Sequence, residues 1–307
     1  MCNTSTHAIL PSTPRDIFVI PAHRITRRTV LATAGALVCA ERARSDTTSL
    51  RIAAPADVLL DYGLFLAGRD VVELRSFDGP HARRDVMELA LLMREIRRQL
   101  PGSVTELVPI DSYQRALVEL RAGRISALGT TVWRLDLDAL GQDITPSPAL
   151  LQKGDFVVGL FAAPANSKAL QARSVAALRA LSAVSNSDWS VDWQTLKTIG
   201  FRQVSDVKTW RQMVLSVARG RTDVMMAPFP NQEDLVLEAE GVRLHPVKDV
   251  AIALQGSRHL AAARTIGGQT IVDKVFPALA SNGSLKRAYR ECGFIHPRTA
   301  GWPVLNK

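Results

Sequence analysis

Cysteine is scarce in this 307-residue chain, which contains only Cys2, Cys39 and Cys292. Three cysteines at this spacing form neither a disulfide framework nor the paired pattern of a metal site. The histidines beyond the first forty residues, at positions 81, 245, 259 and 296, stand apart and belong to no nucleophile or metal motif. We therefore expect no metal, no cofactor and no catalytic residue.

Aromatic residues are also few, at 6% of the chain, although the net charge is +9. The arginines are spread along the sequence with acidic residues between them. A nucleic-acid-binding protein would instead cluster basic residues beside exposed aromatic ones. The composition therefore predicts an ordinary basic surface and no nucleic-acid partner.

Long apolar runs are missing too, and the run Val30–Ala40 covers only eleven residues. Such a run is too short to span a bilayer comfortably. Three arginines precede it between positions 24 and 28, and a small-residue cleavage pattern ends it at Ala40. Residues 1–40 are therefore predicted to be an N-terminal extension and a secretory signal peptide, so the mature protein should be soluble and periplasmic.

Several alternatives for this segment stay open. Arg27-Arg28 resembles the pair of a twin-arginine signal, which would export the protein already folded. A buried N-terminal helix would share the apolar pattern. Cys39 would suit a lipoprotein, but the residues before it lack the expected leucine and the small residue next to the cysteine.

After residue 45, strand patterns alternate with amphipathic helix patterns, and this order predicts α/β lobes with mostly parallel sheets. The first set comprises strands over 50–55, 104–110 and 125–129 and helices over 83–100 and 113–122. The second set comprises strands over 155–164, 180–186, 201–207, 222–229, 242–247 and 250–257 and helices over 190–200, 208–220, 268–282 and 284–292.

One unit occurs twice, once in each set. An amphipathic helix ends at Gly123 or at Gly220, an arginine follows, and the chain then enters a buried strand. Glycine suits this position because it adopts the left-handed backbone conformation that ends many helices. The repetition predicts the same β-α-β step in each of two lobes, as structural punctuation without catalytic meaning.

These segments resemble the periplasmic solute-binding proteins of amino-acid-type ABC transporters, which form family 3 and have the type II periplasmic-binding-protein fold. The resemblance covers residues 45–300. It rests on four stretches in the family's order, namely ALVELRAGRISAL, KGDFVVGLFA, SVARGRTDVMMAP and VFPALASNGSLKRAYRECGF.

The resemblance implies two lobes, each a mixed, mostly parallel sheet flanked by helices, joined by two crossing strands near residues 156–163 and 250–255. Lobe 1 would comprise 45–160 plus 252–307, and lobe 2 would comprise 161–251. A small ligand would sit in the cleft, and closure of the lobes would present it to a membrane partner. Nothing covalent is needed for this, and we expect the protein to be a monomer.

The family's two amino-acid anchors are not clearly present. The acidic residue that holds the ligand's ammonium group corresponds to Pro228, and the arginine that holds the carboxylate has Arg134 as its nearest counterpart, four residues early. Arg134 is therefore a candidate ligand contact, with a surface ion pair as the alternative. The missing anchors argue against an ordinary zwitterionic amino acid and favour an anionic or weakly polar ligand, or no small ligand at all.

Other candidates follow from their position at strand ends. Thr130 and Thr131 follow the first-lobe strand, where their hydroxyls would bind a ligand or cap a helix. Asn186 and Ser187 lie in a loop whose amides would bind an anion or cap the next helix. With Arg134 and Pro228, these are the predicted ligand-binding residues.

The predicted function is capture of a small solute for an inner-membrane transporter, without enzymatic activity. One alternative is a periplasmic accessory or sensor protein on the same scaffold that binds another protein. The other is an enzyme resembling the small-acid dehydratases of this fold, for which the sequence offers no identifiable acid–base pair.

Overall fold

The structure is a computed structural model that describes residues 48–307. The predicted signal peptide, 1–40, lies outside these residues, so export of the protein stays a prediction. Within the described part of the chain, no helix combines the length and the apolarity needed to cross a bilayer.

The first lobe is built on a five-stranded sheet in the order β2-β1-β3-β13-β5. Its central strands β1 and β3 run parallel to each other and β1 runs parallel to β2, whereas β13 is antiparallel to β3 and to β5. The strands are β1 (Ser49–Ala54), β2 (Val104–Pro109), β3 (Ala127–Leu128), β5 (Ile144–Pro146) and β13 (Ala261–Ala263).

The second lobe is built on a six-stranded sheet in the order β10-β11-β6-β9-β7-β8. The β-α-β steps again give parallel neighbours at β7–β8 and β7–β9, and β6 and β11 are antiparallel. The strands are β6 (Val157–Ala162), β7 (Ser182–Ser185), β8 (Gln203–Asp206), β9 (Val224–Ala227), β10 (Leu237–Ala239) and β11 (Val242–Ala253).

Helices cover the faces of both sheets and bury apolar side chains against them. Around the first sheet these are α1 (Ala56–Leu66), α2 (Arg84–Gln99), α3 (Tyr113–Arg121) and α4 (Arg134–Asp138). Around the second they are α5 (Ser167–Leu170), α6 (Val175–Arg179), α7 (Ser190–Ile199) and α8 (Trp210–Ala218). Near the C-terminus follow α9 (Ile266–Thr270), a π-helical turn (Ile271–Val275), α10 (Phe276–Ser281) and α11 (Ser284–Glu291).

The repeated helix–glycine–strand unit has the predicted form. Gly123 and Gly220 both have positive φ, at 68° and 67°. The amide of the following arginine then returns to the helix, from Arg124 to the Glu119 carbonyl and from Arg221 to the Ser216 carbonyl. Each unit delivers a buried strand, β3 or β9, into the middle of its sheet.

The predicted pair of strands at 242–247 and 250–257 is wrong, because β11 is one strand whose register shifts between Pro246 and Ala251. Asp249 has a φ of 59° at this irregularity. Helix α1, which no sequence pattern predicted, is a second difference. Its two exposed leucines, Leu60 and Leu64, make its apolar residues too evenly spread to show a single stripe.

Two chain segments connect the lobes, over residues 147–156 and 254–260. They hydrogen-bond to each other, with the Leu150 amide donating to the Arg258 carbonyl and the Arg258 amide donating to the Leu151 carbonyl. Within the second segment, β12 (Arg258–His259) pairs with β4 (Val132–Trp133) in a short antiparallel ribbon. The junction is therefore a hydrogen-bonded unit that places Arg258 and Trp133 side by side.

The lobe limits predicted at residues 160 and 252 fall inside β6 and β11, which both belong to the second sheet. We propose that the crossings lie just outside these two strands. The C-terminal tail also returns to the second lobe, where the Ala251 amide donates to the Pro303 carbonyl. The chain thus passes between the lobes a third time after α11.

Candidate functional site

A cavity of about 640 Å³ lies between the lobes, against the junction. Its walls come from the starts of α2, α3 and α7, the ends of β9 and β11, and the two crossing segments. Strand ends and helix starts meet here because both sheets point their parallel strands at the cleft. This is where the binding sites of open α/β sheets lie.

Aromatic side chains form much of the cavity wall. Trp133 and Phe156 lie at the junction, with ring centroids 5.7 Å apart, and Tyr113 stands at the start of α3. Trp189 and Trp210 line the side formed by the second lobe. The wall can therefore pack against an apolar group or hold a cation over a ring face.

Behind the cavity, Glu88 is a fully buried carboxylate on α2 that collects four donors. The amide and hydroxyl of Thr131 donate to it at 2.8 and 2.9 Å, the Tyr289 hydroxyl at 2.9 Å and Arg84 Nη1 at 2.7 Å. Burial alone would raise the pKa of Glu88, but Arg84, Arg258 and the Thr131 amide hold it below its usual value. The group is therefore an anion that locks three elements together.

Two guanidinium groups, of Arg84 and Arg258, stand between this carboxylate and the cavity. Arg84 also donates to the Thr131 hydroxyl at 3.2 Å. Arg258 donates from Nε to the same hydroxyl at 2.9 Å and from Nη2 to the Thr131 carbonyl. The Arg258 guanidinium lies over the Trp133 ring, 4.4 Å from its centroid. Burial and then the neighbouring Arg84 lower the pKa of Arg258 from its usual value.

Asp192 lines the cavity from the first turn of α7. Its own backbone N–H is close, and within residues 48–307 no other residue donates a hydrogen bond to its side chain. Burial raises its pKa from 3.8 to about 6, although Arg258 acts in the opposite direction. A carboxylate without a protein partner in a cavity is a group that a ligand can satisfy.

The lobes also contact each other through Asp136, which lies outside the cavity lining. This residue of α4, in the first lobe, accepts a hydrogen bond from the Ser190 hydroxyl of the second lobe at 3.1 Å. Its other oxygen accepts one from the Tyr113 hydroxyl at 2.6 Å. The structure therefore shows a direct hydrogen bond between the two lobes.

Of the predicted ligand-binding residues, Asn186 and Pro228 line the cavity. Thr131 is buried, donates to Glu88 and accepts from Arg258. Thr130 beside it is half-buried and does not line the cavity. Arg134 is exposed and pairs with Asp138 at 2.6 Å, which is the surface ion pair considered as its alternative role. Ligand contact by these residues stays a prediction, and the placement of Thr131 and Arg134 does not support it.

The backbone amides of the loop before α7 already donate hydrogen bonds within the protein. The Ser187 amide donates to Asp206 at 2.9 Å, the Asp188 amide to the Asn186 side chain at 2.9 Å, and the Trp189 amide to the Asn186 carbonyl at 3.0 Å. Ser187 also donates its hydroxyl to Asp206. These amides are therefore engaged within the protein, which argues against the anion site predicted for the loop.

The residues that the sequence reading missed are Arg84, Glu88, Asp192 and Arg258. Each stands in a segment whose dominant pattern was that of an ordinary helix or strand. The available signal was a charged residue on the inner face of a predicted helix. Glu88 lies between Met87 and Leu89 on a helix whose whole middle is buried.

No protein-family profile matches the chain. No curated protein sequence matches it either.

Solved structures do match, at low identity. The periplasmic VFT2 domain of BvgS from Bordetella pertussis is 15% identical, over 83% of this chain and 97% of that one, with a TM-score of 0.52. The probable amino-acid ABC transporter extracellular-binding protein YtmK from Bacillus subtilis is 12% identical, over 79% and 96%, with a TM-score of 0.52.

A third structure is AbpA from Streptococcus pneumoniae, an amino acid ABC transporter substrate-binding protein bound to L-arginine. It is 13% identical, over 80% of this chain and 94% of that one, with a TM-score of 0.50. These similarities confirm the fold expected from the sequence. The chain has the two-lobed type II periplasmic-binding-protein fold.

Proposed function

We propose that this protein is an exported, periplasmic receptor that captures a small solute in the cavity between its lobes and presents it to an inner-membrane transporter. The observation that carries the proposal is the cavity itself. It measures about 640 Å³, lies at the junction of two lobes, and combines aromatic walls with charged groups of both signs. Sites for small molecules have this size and this mixture.

The arrangement of the lobes supports capture by closure. The two crossing segments are hydrogen-bonded to each other, so a rotation of the lobes would bend them together. The Ser190–Asp136 hydrogen bond joins the two lobes directly. A ligand that contacts both lobes would favour the closed arrangement, and the closed form would be the one that a transporter recognises.

The solute differs from an amino acid held by the family's usual anchors. Pro228 lines the cavity where the resemblance places the acidic anchor, and proline offers neither charge nor donor. Arg134 is engaged with Asp138 at the surface. Recognition in this protein therefore depends on other residues of the cavity.

The second candidate is an accessory or sensor protein of the periplasm that binds another protein. The observations that favour it are that Pro228 stands where the resemblance places the acidic anchor, and that Arg134 is paired with Asp138 at the surface. An enzymatic role has less support. Asp192 has a raised pKa and could act as an acid, but within residues 48–307 we identify no second residue that would act with it as a catalytic base.

The test is a thermal-shift screen of the full chain against amino acids, organic acids, polyamines and oxyanions. A solute that binds only the folded state at a hundred times its dissociation constant stabilises it by about 2.7 kcal/mol. Trp189→Ala removes a cavity wall, whereas Trp193→Ala changes the same helix on the side where Lys197 covers the ring. We expect binding to be lost in the first variant and kept in the second.

Two outcomes would contradict this proposal. No shift with any compound would favour a protein partner, and a shift that survives Trp189→Ala would place the ligand elsewhere. Recovery of the bound compound unchanged, measured by mass spectrometry after long incubation, would separate binding from turnover.

A further inference from the structure

The Asp192 carboxylate lines the cavity but has neither an ion-pair partner nor a hydrogen-bond donor from another residue within 48–307. We propose that the ligand is an organic cation, an ammonium-bearing compound whose positive group is bound by Asp192 and whose apolar part lies against the tryptophan walls. This inference rests on the proposed function and names the class of solute. It is argued from the hydrogen-bond and ion-pair partners that each charged residue of the cavity has within the protein.

The two guanidinium groups of the cavity are already engaged within the protein. Arg84 is paired with Glu88 at 2.7 Å, and Arg258 donates to two oxygens of Thr131 while lying over the Trp133 ring. Arg258 forms no ion pair within residues 48–307, so a ligand carboxylate would meet one guanidinium paired with Glu88 and one bound to Thr131. An added anion therefore gains little at Arg84, since hydrogen bonds stabilise most where a desolvated group would otherwise lack a partner.

The acidic residues of the cavity differ in whether they have a partner. Lys208 neutralises Asp188 at the rim, with their charged atoms 3.7 Å apart. No residue within 48–307 forms an ion pair with Asp192, and Arg258 and Arg84 act on it only from a distance. A carboxylate in this position gains most from a ligand that brings both a positive charge and N–H donors.

The aromatic walls favour the same class of ligand. Trp189 directly precedes α7, the helix that carries Asp192 in its first turn. Trp210 lines the cavity from the same lobe, and Trp133 lines it at the junction. Tryptophan faces attract cations more strongly than the other aromatic rings do. A compound with an ammonium group and a ring or short chain would use both features.

Asp192 can bind a ligand's ammonium group, which Pro228 cannot do because proline has no charge. The resemblance expects an acidic anchor at the end of β9, whereas here the free carboxylate comes from the first turn of α7, on the same lobe. Both residues line the cavity. Asp192 is therefore placed to contact a ligand from the same lobe as Pro228.

The inference fixes the direction of a pH effect. The groups that act on Asp192 are Arg258 and Arg84 at the junction and Asp136 from α4, and Lys208, Asp188 and Asp111 also line the cavity. Within residues 48–307 no histidine lines it. A cation needs the ionised form of Asp192, so a pKa of about 6 in the free protein makes binding about tenfold weaker at pH 5 than at pH 7.5.

The experiment compares three compounds that share a phenyl ring and differ in charge. They are phenethylamine as the cation, phenylalanine as the zwitterion and 3-phenylpropanoate as the anion, with putrescine as a second cation without a ring. Isothermal titration of the full chain at pH 7.5 measures their affinities. We expect one of the two amines to bind at least about tenfold more tightly than the zwitterion and the anion.

Asp192→Asn should weaken the amine by about tenfold or more and remove its pH dependence. The matched control is Asp249→Asn, which makes the same change on the exposed bulge of β11, where φ is 59° and asparagine fits well. It should leave affinity unchanged. Melting curves of all variants verify that each is folded.

The inference is overturned if the anion or the zwitterion binds most tightly, if neither amine binds, or if Asp192→Asn leaves amine affinity intact. These outcomes are distinguishable from failure of the proposed function. Tight binding of an acid that is lost in Trp189→Ala would keep a solute receptor and reject only the cation. Failure of every compound in the wider screen would reject both.

Discussion

Two acids of this protein, Glu88 behind the cavity and Asp192 in its lining, have pKa values shifted in opposite directions. Glu88 has four donors, and its pKa lies below the usual value. Asp192 has no donor from another residue within 48–307, and burial raises its pKa to about 6. The difference comes from the partners of each carboxylate, which makes the first a structural group and the second a group available to a ligand.

Asp192→Asn should stabilise the ligand-free protein above pH 6. The ionised Asp192 carboxylate is less favourable in the folded state than in the unfolded one, because its folded pKa is raised. The cost is absent below about pH 4, develops as the pH rises to 6, and reaches at most about 3 kcal/mol, less with solvent screening.

Melting temperatures of the two proteins at pH 4 and pH 7.5 measure this effect. The variant should melt higher at pH 7.5, and the difference should shrink at pH 4. An equal difference at both values would show that the substitution acts through packing instead of charge.

At the scale of the element, helix α2 is the part of the fold that connects the cavity to the core. Its middle is buried on all sides, from Val86 to Ile96, and Glu88 links it to the residue before β4 and to α11. The amide and hydroxyl of Thr131 and the hydroxyl of Tyr289 all donate to this one carboxylate. The helix thus holds Arg84 and, through Thr131, Arg258 in position.

Glu88→Ala should destabilise the protein by about 3–5 kcal/mol, because it leaves the Arg84 guanidinium and several buried donors without a partner. Urea unfolding followed by circular dichroism measures the loss. Glu233→Ala is the control, since Glu233 is 91% exposed and its pairing with Arg298 should contribute at most about 1 kcal/mol. Similar losses in both variants would contradict the structural role assigned to Glu88.

The sequence predicted elements with regular periodicity well. The helices around Met93 and Leu196 and the strands on either side of Gly123 and Gly220 all form near their expected limits, because local pattern and burial agree there. The site was harder to predict. Arg258 and Glu88 lie 170 residues apart and meet through Thr131, and no local pattern shows which charged residues the fold brings together.

At the scale of the whole molecule, the C-terminal tail adds a third connection between the lobes. Helix α11 packs on α2 in the first lobe, and the tail then pairs with β11 in the second. Trp302 meets Phe229 edge to face, with ring centroids 5.3 Å apart, and the Asn306 side chain exchanges two hydrogen bonds with Ala253. The tail therefore restricts how far the lobes can separate.

Deletion of residues 302–307 should lower the free energy of unfolding by about 3 kcal/mol, since it removes the backbone pairing with Ala251, the Asn306 hydrogen bonds and the Trp302 contact. It should also increase the radius of gyration of the ligand-free protein in small-angle scattering. Deletion of Lys307 alone is the control and should change neither. An unchanged radius with a lowered stability would show that the tail braces the second lobe only.

The aromatic wall has a spectroscopic consequence. Trp133, Trp189 and Trp210 line the cavity, and they are three of the five tryptophans in the chain. Ultraviolet emission of the unlabelled protein is therefore dominated by rings that a ligand would cover and whose solvent it would displace. A shift of that emission on mixing would report occupancy in real time, so association and dissociation rates are accessible without attaching a dye.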